Sequence, residues 1–197
     1  MIAAALLLAS AAVPPAVEAE RAFAATAQTQ GQWTAFRAFA APEAVMFVPE
    51  QVNAQQWLKD RADPAVPVMW WPAEVFTSCD GSVAVTTGPW LRSGGKLAGY
   101  FTTIWVKQAD GGWKWVLDHG DVLAKAQGAG AEAAVHRPAC RALPGGGGPA
   151  DKAGRSADGS LAWTWEVRPD NSRTVTVSQW NGRGYREALK NEIAAGQ

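Results

Sequence analysis

The sequence predicts an α+β fold: a curved antiparallel sheet wrapped around a long N-terminal helix and a short second helix, with an extra C-terminal β-hairpin. Three observations predict it. Residues 97–120, LAGYFTTIWVKQADGGWKWVLDHG, read as two strands, because aromatic and β-branched runs flank the loop chemistry of Gln108 to Gly112. Val66 to Ser78 and Val83 to Leu91 flank Cys79-Asp80-Gly81-Ser82 in the same manner, giving a second hairpin. Ahead of both lies a stretch whose large apolar residues recur at helical spacing.

The chain has 197 residues, enough for one ordinary domain and an appendage. Lys and Arg together number 18, as do Asp and Glu, so no net field draws the protein to nucleic acid or an anionic membrane. No apolar run is long enough to span a bilayer. Eleven tryptophans supply either a core of large rings or a wall on which a ring-shaped ligand stacks.

Residues 1–12 read as a signal peptide: Ile2 to Ala12 is rich in Ala and Leu, and Ala9-Ser10-Ala11 or Ser10-Ala11-Ala12 offers a small-x-small cleavage pattern, though no Lys or Arg precedes the run. The expected location is the periplasm or the secreted fraction, or the cytoplasm if the segment is not a signal. Val17 to about Ala40 is the long helix, with Pro14-Pro15 before it, Glu18 and Glu20 in its first turns where the dipole favours acids, and Pro42 after it. Gly31 in its middle marks close packing or a break. A short strand, Val45 to Val48, follows, and Asn53 is placed to cap a helix from Ala54 to Arg61.

In the hairpin of residues 97–120, a five-residue loop pairs Lys107 with Trp113, Trp105 with Trp115, Thr103 with Leu117 and Phe101 with His119. One face then carries Phe101, Thr103, Trp105, Leu117 and His119, and the other Tyr100, Thr102, Ile104, Val116 and Asp118. Both faces are too apolar for water, so both are expected to be covered, one of them by a partner chain in a homodimer. Past Gly120, Ala124 to Ala134 reads as a short helix and residues 124–159 as an Ala/Gly/Pro-rich connection. Leu161 to Val167 and Thr174 to Trp180 alternate as a half-buried hairpin, with Leu161, Trp163, Trp165 and Val167 forming a stripe that needs a surface. Tyr185 to Ala194 is expected to end the chain as a short helix, so residues 160–197 pack on the main domain as hairpin plus helix.

The runs Glu20-Arg21-Ala22-Phe23, Ala35-Phe36, Ala44 to Pro49, Thr87-Gly88-Pro89-Trp90, Gly99-Tyr100, Ile104-Trp105 and Asp110 to Asp118 resemble SnoaL-like members of the nuclear transport factor 2-like superfamily. The resemblance spans about residues 18–120, within a domain of residues 13–123. It implies a cone, a bent sheet closed by helices around a pocket, and leaves open whether the protein binds, assembles or catalyses. It also implies that the face with Tyr100, Thr102, Ile104, Val116 and Asp118 points inward. Asp118 is then the leading carboxylate and Tyr100 the leading phenol, with Glu74 a second carboxylate candidate set opposite Thr87. Trp33, Phe36, Trp71, Trp90, Thr102, Ile104 and Val116 are the expected pocket lining. Asp118 and His119, as neighbours on a strand, cannot share a face without a bulge.

Two function classes follow. The first is an exported module that binds a small apolar or aromatic molecule or another protein. The second is a small cofactor-free isomerase, hydratase or hydrolase using a pocket carboxylate as acid or base. Neither calls for a cofactor or a metal; His136 and Cys140 have ligand spacing, but two ligands do not make a site. Cys79 and Cys140 are expected to pair in an oxidising compartment and to be unrelated thiols otherwise.

Overall fold

The computed structural model describes residues 13–128, 130–145 and 152–195. The signal-peptide segment, residues 1–12, lies outside the described residues. The chain opens with helix α1, Pro15–Gln30, which has proline at its first position and Glu18 in its first turn. Helix α2, Gln32–Phe39, follows at once. The single long helix expected to run to Ala40 is therefore two, broken at Gly31, whose φ of 111° suits glycine. The Asp63 carboxylate caps the start of α2, accepting from the backbone N–H of Trp33 at 2.5 Å and of Thr34 at 3.0 Å. Pro42 does not end the helix; strand β1, Ala40–Phe47, has already begun.

Strand β2, Gln51–Asn53, leads into helix α3, Ala54–Leu58, where the Asn53 side chain accepts from the Gln56 N–H as expected of a cap. Strands β3 (Met69–Trp70), β4 (Glu74–Thr77), β5 (Val83–Arg92), β6 (Leu97–Lys107) and β7 (Trp113–Leu123) follow. Strand β8, Ala134–His136, then runs parallel to β4. The expected helix over Ala124 to Ala134 is not formed. The first sheet is curved and unclosed, in the order β2-β1-β7-β6-β5-β4-β8, with β3 beside β5.

A second, four-stranded sheet consists of β9 (Ala153–Arg155), β10 (Leu161–Val167), β11 (Arg173–Trp180) and β12 (Tyr185–Ile193). Tyr185 to Ile193 is thus a strand and not the expected helix. Its Arg, Glu, Ala, Leu and Lys content favours a helix locally, and pairing with β11 overrides that preference.

Helices α1 and α2 pack on one face of the first sheet, around Phe23. Its ring centroid lies 4.8 Å from Phe36, 4.9 Å from Trp70 and 6.0 Å from Trp105, mostly in edge-to-face contacts. The opposite face is covered by the second sheet: Leu161, Trp163, Val175 and Val177 are buried in the same apolar cluster as Val83, Val85 and Ile104. Burial of each such side chain contributes about 1.5–3 kcal/mol. Cys79, at the β4–β5 turn, and Cys140 form a disulfide with Cα atoms 5.6 Å apart.

Candidate functional site

The site is set by one extra residue in β7. Trp105 pairs with Trp115, but Ile104 pairs with Leu117, so Val116 is bulged out of the ladder. Beyond it, Thr103 faces Asp118 and Thr102 faces His119. The expected register, Thr103 with Leu117 and Phe101 with His119, is corrected by that one-residue slip, and with it the face assignment. Phe101, Thr103, Trp105 and Asp118 share the helix side. Tyr100, Thr102, Ile104 and His119 face the second sheet.

On the helix side is a cavity of about 270 Å³, lined by Phe23, Gln32, Phe36, Val68, Trp70, Trp90 and Phe101, and by Arg92 and the β7 run from Asp118 to Val122, His119 included. Asp118 and Asp121 are the two carboxylates of this lining. The Thr103 hydroxyl donates to Asp118 Oδ2 at 2.8 Å. Burial pushes the Asp118 carboxyl up to about 8; the negative charge of Glu20 adds to the rise and the Thr103 hydrogen bond opposes it. At neutral pH its prevailing form is a neutral acid, able to donate a hydrogen bond into the cavity or to give up a proton.

Behind the cavity wall lies Glu20, fully buried on α1. Its carboxylate accepts from Trp70 Nε1 at 2.7 Å, Thr86 Oγ1 at 2.6 Å and Trp105 Nε1 at 2.8 Å. Burial raises its pKa, and those three donors work the other way. Sequence reasoning took Glu20 for a helix-dipole acid. The available signal was its position one turn before Phe23, on the buried stripe.

The other expected site residues are dispersed. Phe36 and Trp90 line the cavity. Trp33 packs edge-on against Phe36 and Trp57, at 5.4 Å from each. Trp71 is absent from the cavity lining, and Val116 is the bulged residue. Thr102 and Ile104 lie on the opposite face; the Thr102 hydroxyl donates to Asn191 Oδ1 at 2.9 Å. Tyr100 also faces away from Asp118. Burial pushes its phenol up to about 12, with the Asp121 charge adding and Arg173 opposing. His119 is buried between the sheets, where burial and the Arg173 charge push it down to about 3 and keep the ring neutral. Glu74 accepts from or donates to His136 Nε2 at 2.8 Å, according to tautomer and protonation, far from Asp118 in the ladder. It borders a second, more polar cavity of about 590 Å³ with Tyr100, Thr87, Asn191 and Lys190. Asp118, Tyr100 and Glu74 therefore do not converge.

No family model matches the chain, and no curated protein matches it. Among solved structures it is similar to a nuclear transport factor 2-like superfamily protein from Salmonella enterica serovar Typhimurium, at 17% identity and a TM-score of 0.43, over 59% of this chain and 94% of that one. It is similar to a ketosteroid isomerase-like protein from Erwinia carotovora atroseptica at 13% identity and a TM-score of 0.43, over 57% and 97%. A third likeness is to the CaMKII hub of S. rosetta, at 21% identity and a TM-score of 0.41, over 58% and 100%. Helices on one side of a bent sheet, with a pocket between, are the architecture that the sequence resemblance implied, although the sheet is mixed and not wholly antiparallel: β1 runs parallel to β7 and β8 to β4. Among the described residues, no helix is long and apolar enough to cross a membrane.

Proposed function

We propose that the protein is a binding module whose cavity takes one small, mainly apolar, ring-shaped molecule carrying a hydrogen-bond acceptor such as a carbonyl. The observation that carries this reading is the Asp118 carboxyl, hydrogen-bonded by Thr103, in a wall that includes Phe23, Phe36, Trp70, Trp90 and Phe101. The rings provide contact area, and the protonated carboxyl supplies one oriented donor. A volume of about 270 Å³ limits the occupant to about one or two rings.

Titration of the protein at pH 6.5 with single-ring ketones and phenols, followed by tryptophan fluorescence, tests the reading. Saturable binding is expected, retained in Asp118→Asn, whose amide still donates, and lost in Asp118→Ala. Binding indifferent to Asp118→Ala, or no saturable binding across the panel, would overturn it.

A second reading, a cofactor-free enzyme, is favoured by the same carboxyl, since a group titrating near 8 exchanges protons at physiological pH. It predicts that a bound ketone exchanges its α-hydrogens with deuterated solvent faster in the wild type than in Asp118→Asn. Equal rates would leave binding alone. Export is part of the proposal: the Ala/Leu-rich start and the Cys79–Cys140 bond both suit an oxidising compartment. N-terminal sequencing of protein from its native host is expected to begin near Val13 or Pro14; a retained Met1 would refute export by this segment.

A further inference from the structure

The second sheet reproduces the meander β4–β7 strand for strand. The turn Ser78-Cys79-Asp80-Gly81-Ser82 joins β4 to β5, and Ser156-Ala157-Asp158-Gly159-Ser160 joins β9 to β10. Thr77 pairs with Ala84 across the first turn and Arg155 with Ala162 across the second, at matching positions. Val83 pairs with Val106 in the next hairpin, and Leu161 with Gln179. The match extends to the irregularity. Val116 is bulged between the pairs Ile104–Leu117 and Trp105–Trp115, and Ala188 is bulged between the pairs Val177–Leu189 and Ser178–Glu187. Local sequence preference does not place a bulge twice at one point of a four-strand ladder.

The two turns grip each other reciprocally. The Asp80 N–H donates to Asp158 Oδ2 at 2.9 Å, and the Asp158 N–H donates to Asp80 Oδ2 at 2.8 Å. The Cys79 N–H donates to Ser160 Oγ at 2.8 Å, and the Ala157 N–H to Ser82 Oγ at 3.2 Å. Within each turn the aspartate Oδ1 accepts from the serine before it, at 2.6 Å in the first and 2.7 Å in the second. Exchange of partners of this kind is the mark of a two-fold axis between equivalent surfaces. The packing is complementary too. Phe76 faces Val85 in the first sheet, and the equivalent pair Gly154 and Trp163 reverses large and small. A Cβ on Gly154 would strike the Trp163 ring.

We infer that residues 153–193 are a second copy of the β4–β7 meander, docked on the first about a local two-fold axis, so that the chain carries its own partner. The face of the first sheet opposite α1 and α2 is filled from within, by the hairpin stripe that the sequence left in need of a surface. The copy comprises the sheet alone, without an equivalent of α1 and α2 among the described residues.

A double-mutant cycle on the full chain tests this. Asp80→Asn and Asp158→Asn keep Oδ1, which holds each turn, and replace only the oxygen that accepts from the opposite turn. The two-fold relation predicts equal downward shifts of the thermal midpoint for the single variants, and a double variant well short of their sum. Unequal shifts, or a double variant equal to the sum, would overturn it. Hydrogen exchange across a range of protein concentrations supplies an independent reading. Amides of β5–β7 are expected to be equally protected at all concentrations, and protection that rises with concentration would show the face seating another chain instead.

Discussion

The two meanders share topology, register and bulge, yet the faces they turn away from each other are opposite in character. In the first sheet that face carries Thr86, Phe101, Thr103, Trp105 and Asp118, and α1 and α2 cover it. The equivalent positions in the second sheet are Thr164, Thr174, Thr176, Ser178 and Lys190, half-buried or exposed. The same backbone thus holds a site in one copy and a wet surface in the other. Asp118 is pushed up to about 8 because helices exclude water from it. Lys190, its counterpart, pairs with Glu192 at 2.5 Å in the open, where screening leaves such a bridge little weight. The environment of Asp118, a strand residue, is made by the covering layer.

Equivalent substitutions sharpen that contrast. Trp105→Ala is expected to cost about 3–5 kcal/mol, because it leaves a core cavity. Ser178→Ala, at the matching position, stays within about 0.5 kcal/mol. Urea unfolding measures both, and similar costs would show the two faces to be equally buried. Next in size is the tether. The first turn is fastened through Cys79, whereas Ala157 has no such bond. Replacing both cysteines by serine removes up to about 4 kcal/mol in the chain-entropy model, seen as a lower denaturation midpoint.

A smaller effect is expected at Glu20. Glu20→Gln turns an amide N–H₂ toward indole and hydroxyl donors and costs about 1–3 kcal/mol, whereas exposed Glu18→Gln is near neutral. Calorimetry of the two variants distinguishes a buried acceptor from a surface acid.

The smallest effect per step is the dependence on pH. Asp118 in the folded chain holds its proton to about 8, whereas in the unfolded chain it releases it in the ordinary aspartate range. Between those values the folded state binds more protons, so stability falls as pH rises, by at most about 1.4 kcal/mol per pH unit, and the contribution levels off above 8. Asp118→Asn removes that slope. An unchanged slope in the variant would assign it elsewhere.

Much of the arrangement was legible in the chain. The hairpin of residues 97–120, the Ser78–Val83 turn, the opposition of Glu74 and Thr87, and the Asn53 cap all follow from turn chemistry and alternation. What was not legible has a common cause. Nothing in Trp113 to Asp118 announces a bulge, so alternation put Asp118 on the same face as Tyr100 and Ile104, when the extra residue separates them. Asp118 therefore reaches the helix side without the neighbours expected for it. Glu20 was hidden because an acid early in a helix already has a sufficient local explanation. Tyr185 to Ile193 carries helix-forming residues and is a strand because β11 offers it an edge. In each case a tertiary partner, absent from the local sequence, decided the outcome.

Carboxyl-carbon NMR of the protein labelled with ¹³C-aspartate, with the Asp118 resonance assigned by its loss in Asp118→Asn, reads the protonation of the cavity acid itself. A titration midpoint of about 8 is expected for Asp118 in the ligand-free protein. A midpoint in the ordinary aspartate range would show a hydrated, ionised carboxylate and rule out a covered, acid-bearing cavity.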